Sequence, residues 1–230
     1  MIDGKTVSVI VTTYAPERRD TIEAVCLGWL NQPVEQVWLV DGHGGAIRHI
    51  CAEDPRFEHW RLPRDHGTRT DYALAHLTDG DVIILADDDV LPHRGLCMDL
   101  VYSLFANVAG ITGLVGRTFH GPDYHEDTTW YGANKITEPV RVGFCGVVMA
   151  AHRKHFGFDT RGMGRNVDDL WWQIRCKPDV VKVVVPTKKY ENLPCSRKGM
   201  FHDQGDLRDA RRAFYQAEYE RTYGPAGRAF

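Results

Sequence analysis

Residues 82–86, Val-Ile-Ile-Leu-Ala, form an apolar run with no polar alternation, and the run ends against Asp87, Asp88 and Asp89. A strand that is apolar at every position has both faces buried, which calls for a sheet covered on both sides, the habit of parallel α/β sheets. The rest of the first half agrees. VSVIVTT at 7–13 is a β-branched strand pattern, and Ile22, Val25, Cys26, Trp29 and Leu30 then recur at helical spacing over 20–31, with Asp20 as the expected N-cap. VWLV (37–40) ends in Asp41-Gly42, a helix is expected over 46–53, a strand over 57–62, and a helix from about 70 to 77 runs through the turn at 78–81 into the apolar run. Strand and helix in alternation predict an α/β fold with a mostly parallel sheet and helices on both faces.

The second half is less regular. Strands are expected at 111–119 and 140–150 as additions to the same sheet, and a helix near 167–176. A helix from Asp206 should turn Leu207, Ala210 and Phe214 inward and end at Gly224-Pro225. With 230 residues, 43% of them hydrophobic and 26% charged, the chain suits one well-buried domain, and no repeat or linker divides it. The amino terminus carries Asp3 and Lys5 and lacks the pattern of a signal peptide, and no stretch is long and apolar enough for an intrinsic membrane segment. Six cysteines without a CxxC pair suit reduced thiols, so a cytoplasmic location is expected, and a net charge of −3 argues against polyanion binding by the whole surface.

In an open parallel sheet, ligands bind beyond the carboxyl ends of the strands, where Asp41 and Asp87 to Asp89 both fall. Three adjacent carboxylates repel one another unless something positive sits among them, and a hard divalent cation, Mn²⁺ or Mg²⁺, is the expected partner. Such ions are usually held by one or two carboxylates together with phosphate oxygens, which points to a phosphate-bearing substrate. The alternative is a solvated acidic turn.

Four stretches, in order, resemble the family-2-like glycosyltransferases of the GT-A fold: VSVIVTTY, CLGWLNQPVEQVWLVDGHG, VIILADDDV and HFGFDTRGMGRNVDDLWWQIR. The resemblance implies a single glycosyltransferase domain over 1–230, with a nucleotide-sugar-binding half (1–92), an acceptor and catalytic half (93–205) and a C-terminal helix (206–224). It implies that Thr12, Tyr14 and Asp41 contact the nucleoside and that Arg69 lies near the donor phosphates or ribose. Asp87 and Asp89 would be the outer members of the DxD motif and ligands of the metal, with Asp88 turned toward the ribose or a neighbouring donor. His202 would be a third metal ligand, and Arg197 and Lys198 would close over the diphosphate.

Asp168-Asp169 matches the family's acidic pair, with Asp in place of the usual first Glu. Asp169 is the expected catalytic base, with Asp168 in reserve; helix capping is the plainer role for either. The implied reaction moves a hexosyl unit from a nucleoside-diphosphate sugar (UDP, GDP or dTDP) to an acceptor hydroxyl with inversion. The acceptor expected is a soluble glycan or a hydroxylated DNA base, the latter if Arg208, Arg211 and Arg212 form an exposed basic face. The segment 118–134, rich in aromatics and His, reads either as an acceptor wall or as core. Two rival functions remain: a sugar-phosphate nucleotidyltransferase, whose Gly-rich loop is here replaced by Thr12-Thr13-Tyr14-Ala15-Pro16, and a non-catalytic sugar-nucleotide-binding module.

Overall fold

A computed structural model of the chain describes residues 1–13, 18–42, 53–63, 67, 69–106, 109–160, 163, 167–194 and 205–223. The expected helix at 46–53, together with Tyr14, Arg197, Lys198 and His202, lies wholly or almost wholly outside them.

The chain runs β1 (Val7–Thr13), α1 (Arg19–Leu30), β2 (Gln36–Asp41), β3 (Phe57–Arg61), α2 (Arg69–Ala75), β4 (Val82–Asp87), β5 (Val90–Pro92), α3 (Leu96–Ala106), β6 (Ile111–Phe119), β7 (Thr128–Gly132), β8 (Val140–Val142) and β9 (Phe144–His152). There follow α4, one turn of α-helix (Asp168–Leu170) that widens into a π-helix (Trp171–Cys176), then β10 (Lys182–Val184), β11 (Tyr190–Asn192) and α5 (Gly205–Tyr223). Among the described residues nine strands form one sheet in the order β3-β2-β1-β4-β9-β6-β10-β8, with β7 beside β6. β3, β2, β1 and β4 are parallel, β9 runs against both β4 and β6, and β10 is again parallel to β6. A short second sheet pairs β5 with β11.

The double-sided burial expected of 82–86 is found. Val82, Ile84 and Ala86 face the layer that includes Ile22, Cys26 and Trp29 of α1 and Leu100 and Leu104 of α3, whereas Ile83 and Leu85 face Tyr72 of α2 and Trp171 and Trp172 of α4. Each such side chain contributes about 1.5–3 kcal/mol on burial, so this strand can sit only in the interior of the sheet. The turn before β4 leaves no room for a side chain: a Cβ on Gly80 would lie 2.6 Å from the Ser8 amide, while the Gly80 N–H donates to Ser8 Oγ at 3.0 Å.

Three local expectations are corrected. α1 has Arg18 as its N-cap, two residues ahead of the expected Asp20, and no side-chain hydrogen bond caps it. The strand expected over 140–150 is two strands, because the chain turns at Gly143 between β8 and β9. On α5 the inward side is Arg211, half-buried Phe214, Tyr215 and Glu218, and Ala210 is exposed.

Candidate functional site

Sheet order places the site. From β1 the chain steps through β2 to β3 on one side and then crosses to β4 on the other, so the topological switch point lies between the carboxyl ends of β1 and β4. Register brings Thr12 beside Asp87 across that gap and Thr13 beside Asp41 on the other side.

Thr12 Oγ1 donates to the carboxylate of Asp71 on α2, a residue with no counterpart among the expected ones. Asp71 is buried, and burial raises its carboxyl well above the usual range; the Thr12 hydrogen bond opposes the shift, and the charges of Asp168 and Asp87 add to it. Asp87 is exposed at the end of β4, though its carboxylate is crowded by protein atoms. Burial and then the charge of Asp89 push it up to about 7, against the pull of Arg18, and Asp169 contributes in the same direction as Asp89. The charges of Asp71, Asp87, Asp89, Asp168 and Asp169 reach one another, so these carboxylates from three separate segments gather near the carboxyl edge, where sheets of this kind have their crevice.

Arg18 supplies positive charge at its rim. Its guanidinium forms ion pairs with Asp88 and, at 3.3 Å, with Asp89. Asp88 is buried and turned toward Arg18, while Asp89 keeps 19% of its side-chain surface open. Arg69 stands exposed in the first turn of α2. Asp41 is fully buried at the end of β2 with His59 Nε2 3.5 Å away; burial, then Arg61, lowers the His59 pKa against the pull of Asp41.

Asp168 and Asp169 open α4, where the wide turns that follow pin the helix to the sheet. Gln173, fully buried, donates to the Cys145 carbonyl at 2.6 Å and accepts from the Cys145 amide at 2.8 Å, standing in for a neighbouring strand. π-turns are often found at functional sites. Asp168 is buried; Asp169 is the more open, accepting from the Leu170 amide at 2.7 Å and from Arg211 Nη2 at 2.9 Å. Arg211 is itself buried and also donates to Tyr124 Oη at 3.2 Å. The field of Asp169 and the hydroxyl of Tyr124 outweigh its burial, and its pKa rises. Arg211 is therefore an internal strut rather than part of an exposed basic face, which corrects the expectation that it joins Arg208 and Arg212 on the surface.

Among the described residues no three His, Cys, Asp or Glu side chains are grouped to hold a metal ion. Asp87 and Asp89 are the residues that would hold one: they are oxygen donors on either side of Asp88, Asp87 is raised by burial and then by the charge of Asp89, Asp89 is paired with Arg18 at 3.3 Å, and a hard cation held by one or two carboxylates takes its other ligands from phosphate oxygens.

In topology the chain is similar to the crystal structure of GalNAc-T7 with UDP, GalNAc and Mn²⁺, at a TM-score of 0.60. The fold is GT-A-like. Identity is 13% over 82% of this chain, which spans 43% of the GalNAc-T7 chain. No family model matches the sequence, and no curated protein matches it.

Arg18, Asp71 and Gln173 are site residues that sequence reasoning missed, and Arg211 was expected on an exposed basic face instead. Arg18 had a faint signal, as one of two adjacent arginines just beyond β1; the others had none, because each acts through partners 28 to 59 residues away.

Proposed function

We propose that the protein is a metal-dependent glycosyltransferase that moves a hexosyl unit from a nucleoside-diphosphate sugar to an acceptor hydroxyl with inversion. The observation that carries the reading is the convergence of the Asp87–Asp89 strand end and the Asp168-Asp169 pair near the carboxyl edge, at the switch point of a GT-A-like sheet. The nucleoside contacts are assigned to Thr12, Tyr14 and Asp41, the last of which donor binding would have to uncover, since it is fully buried beside His59. Arg69, Arg197 and Lys198 bind the donor phosphates, and His202 completes the donor set that Asp87 and Asp89 begin. A bound Mn²⁺ or Mg²⁺ would neutralise the diphosphate as it leaves.

Asp169 is the base. It takes the proton of the attacking hydroxyl, and Arg211 holds its carboxylate in one orientation, so the proton acceptor is in place before the acceptor arrives. Asp168, buried behind it, keeps the field in the crevice negative, which favours a cationic sugar in the transition state.

The test is release of nucleoside diphosphate from UDP-, GDP- and dTDP-sugars with Mn²⁺, for the wild type and Asp89→Ala. Release that depends on Mn²⁺ and falls at least a hundredfold in Asp89→Ala is expected; unaltered release removes the metal assignment, and no release from any donor removes the transferase.

A further inference from the structure

Among the described residues β7 pairs with β6 alone and carries the most exposed tryptophan, Trp130, at 51%. An indole left in water on an edge strand needs an explanation, since burial would have been worth several kcal/mol. Its setting is built rather than incidental. Arg117 stands directly opposite in the β6–β7 register, its guanidinium carbon 4.7 Å from the Trp130 ring centre and 4.4 Å from that of Tyr124. The guanidinium is thus stacked between the two rings, and it is also tied to the Tyr124 carbonyl at 2.8 Å. Tyr124 is packed against Phe119, which stacks on Tyr215 of α5 at 4.4 Å.

The stack leads to the proposed base. Tyr124 Oη accepts from Arg211, and Arg211 holds Asp169, so Trp130, Arg117, Tyr124, Arg211 and Asp169 form one continuous chain of contacts. The loop behind it is ordered by its own bonds: Asp123 accepts from the amides of His125 and Glu126, and Asp127 from that of Asp123.

Resting on the glycosyltransferase reading above, we propose that Trp130 is the acceptor platform and that the acceptor is a neutral glycan, one sugar ring lying on the indole. One face of a pyranose presents C–H bonds that match an aromatic ring, while its edge presents hydroxyls that need hydrogen-bonding groups beside it. Those groups are here. Thr128, half-buried, lies two residues before Trp130 on the same face of β7 with Arg117 opposite, whereas Thr129 and His120, 2.8 Å apart, are exposed on the other face. Charge decides against a nucleic-acid strand. α5 and the 120–127 loop set Arg208, Arg211 and Arg212 against Asp123, Glu126 and Asp127; Arg212 is paired with Asp123 at 3.3 Å, and Arg211 is buried. A phosphate backbone needs a surface of one sign, and this is not one.

The experiment is saturation-transfer NMR on the full chain with the methyl glycosides of glucose, galactose, mannose and N-acetylglucosamine, and with a single-stranded oligothymidylate. At least one glycoside should show transfer to the C–H bonds of one ring face; Trp130→Ala should weaken its binding at least tenfold, Trp130→Phe should restore most of it, and Trp60→Ala, at an exposed tryptophan elsewhere, should leave it unchanged. No glycoside signal with the wild type, binding indifferent to Trp130→Ala, or binding of the oligonucleotide instead would each overturn the proposal. Donor hydrolysis without glycoside binding refutes the platform and leaves the transferase standing; glycoside binding without turnover of any donor refutes the transferase.

Discussion

Replacing Asp169 by Asn tests two roles at once, and the structure separates them. The Arg211 side chain is 5% exposed and its Nη2 lies 2.9 Å from Asp169 Oδ2, whose side chain is 20% exposed. Neutralising the carboxylate takes an anionic partner from a buried guanidinium, and Tyr124 Oη, to which Arg211 also donates, is a neutral acceptor. Breaking a buried pair from one side costs about 3–5 kcal/mol, and the partial exposure of Asp169 places this one near 3. In a chain of this length that lowers Tm by about 6–12 °C. Arg211→Met should cost less, about 1–2 kcal/mol, because the carboxylate it abandons can be solvated while a costly buried cation is removed. The double variant should be more stable than the sum of the two losses predicts.

Turnover should divide differently. Asp169→Asn should lower transfer by about 10²–10⁴, the usual range for a lost general base, whereas Arg211→Met, with the carboxylate still present but less well aimed, should retain measurable transfer. The assays are urea denaturation for stability and nucleoside-diphosphate release in conditions where each variant is folded. An Asp169→Asn protein with the wild-type unfolding midpoint would refute the strut, and one with wild-type transfer would refute the base.

Two further outcomes concern stability. Burial, followed by the charges of Lys154, Lys177 and His152, lowers His155 from an ordinary 6.5 to about 4, so in that window the unfolded chain binds the proton and the folded one does not. Stability from this group is therefore present above pH 6.5 and lost as pH falls toward 4, by at most roughly 3 kcal/mol, and urea midpoints measured across that range should decline less steeply in His155→Gln; equal slopes would contradict the assignment. Val147 has φ 64° where two residues of β9, Val147 and Val148, oppose Leu114 of β6, a left-handed position that costs a β-branched residue about 1–2 kcal/mol. Val147→Gly should accordingly be more stable than Val147→Ala, by about 1 kcal/mol in thermal denaturation, reversing the order normal for a strand.

The sequence by itself determined the layered α/β plan, because the signals that encode it are short-ranged. The unbroken apolar run at 82–86 could only be an interior strand, and 7–13 and 37–40 ended where register later aligned Thr12, Thr13, Asp41 and Asp87. Periodicity failed where burial was not apolar: α5 turns Arg211 and Glu218 inward, which a search for an apolar stripe passes over in favour of exposed Ala210. Only the tertiary structure decided which charges meet. Nothing local in Thr12-Thr13 or in Asp71 announces their hydrogen bond across 59 residues, and nothing in Asp88 announces Arg18 rather than a ligand. Local pattern reports how much water a side chain avoids, whereas the partner of a buried charge is chosen by the sheet order that brings distant strand ends together.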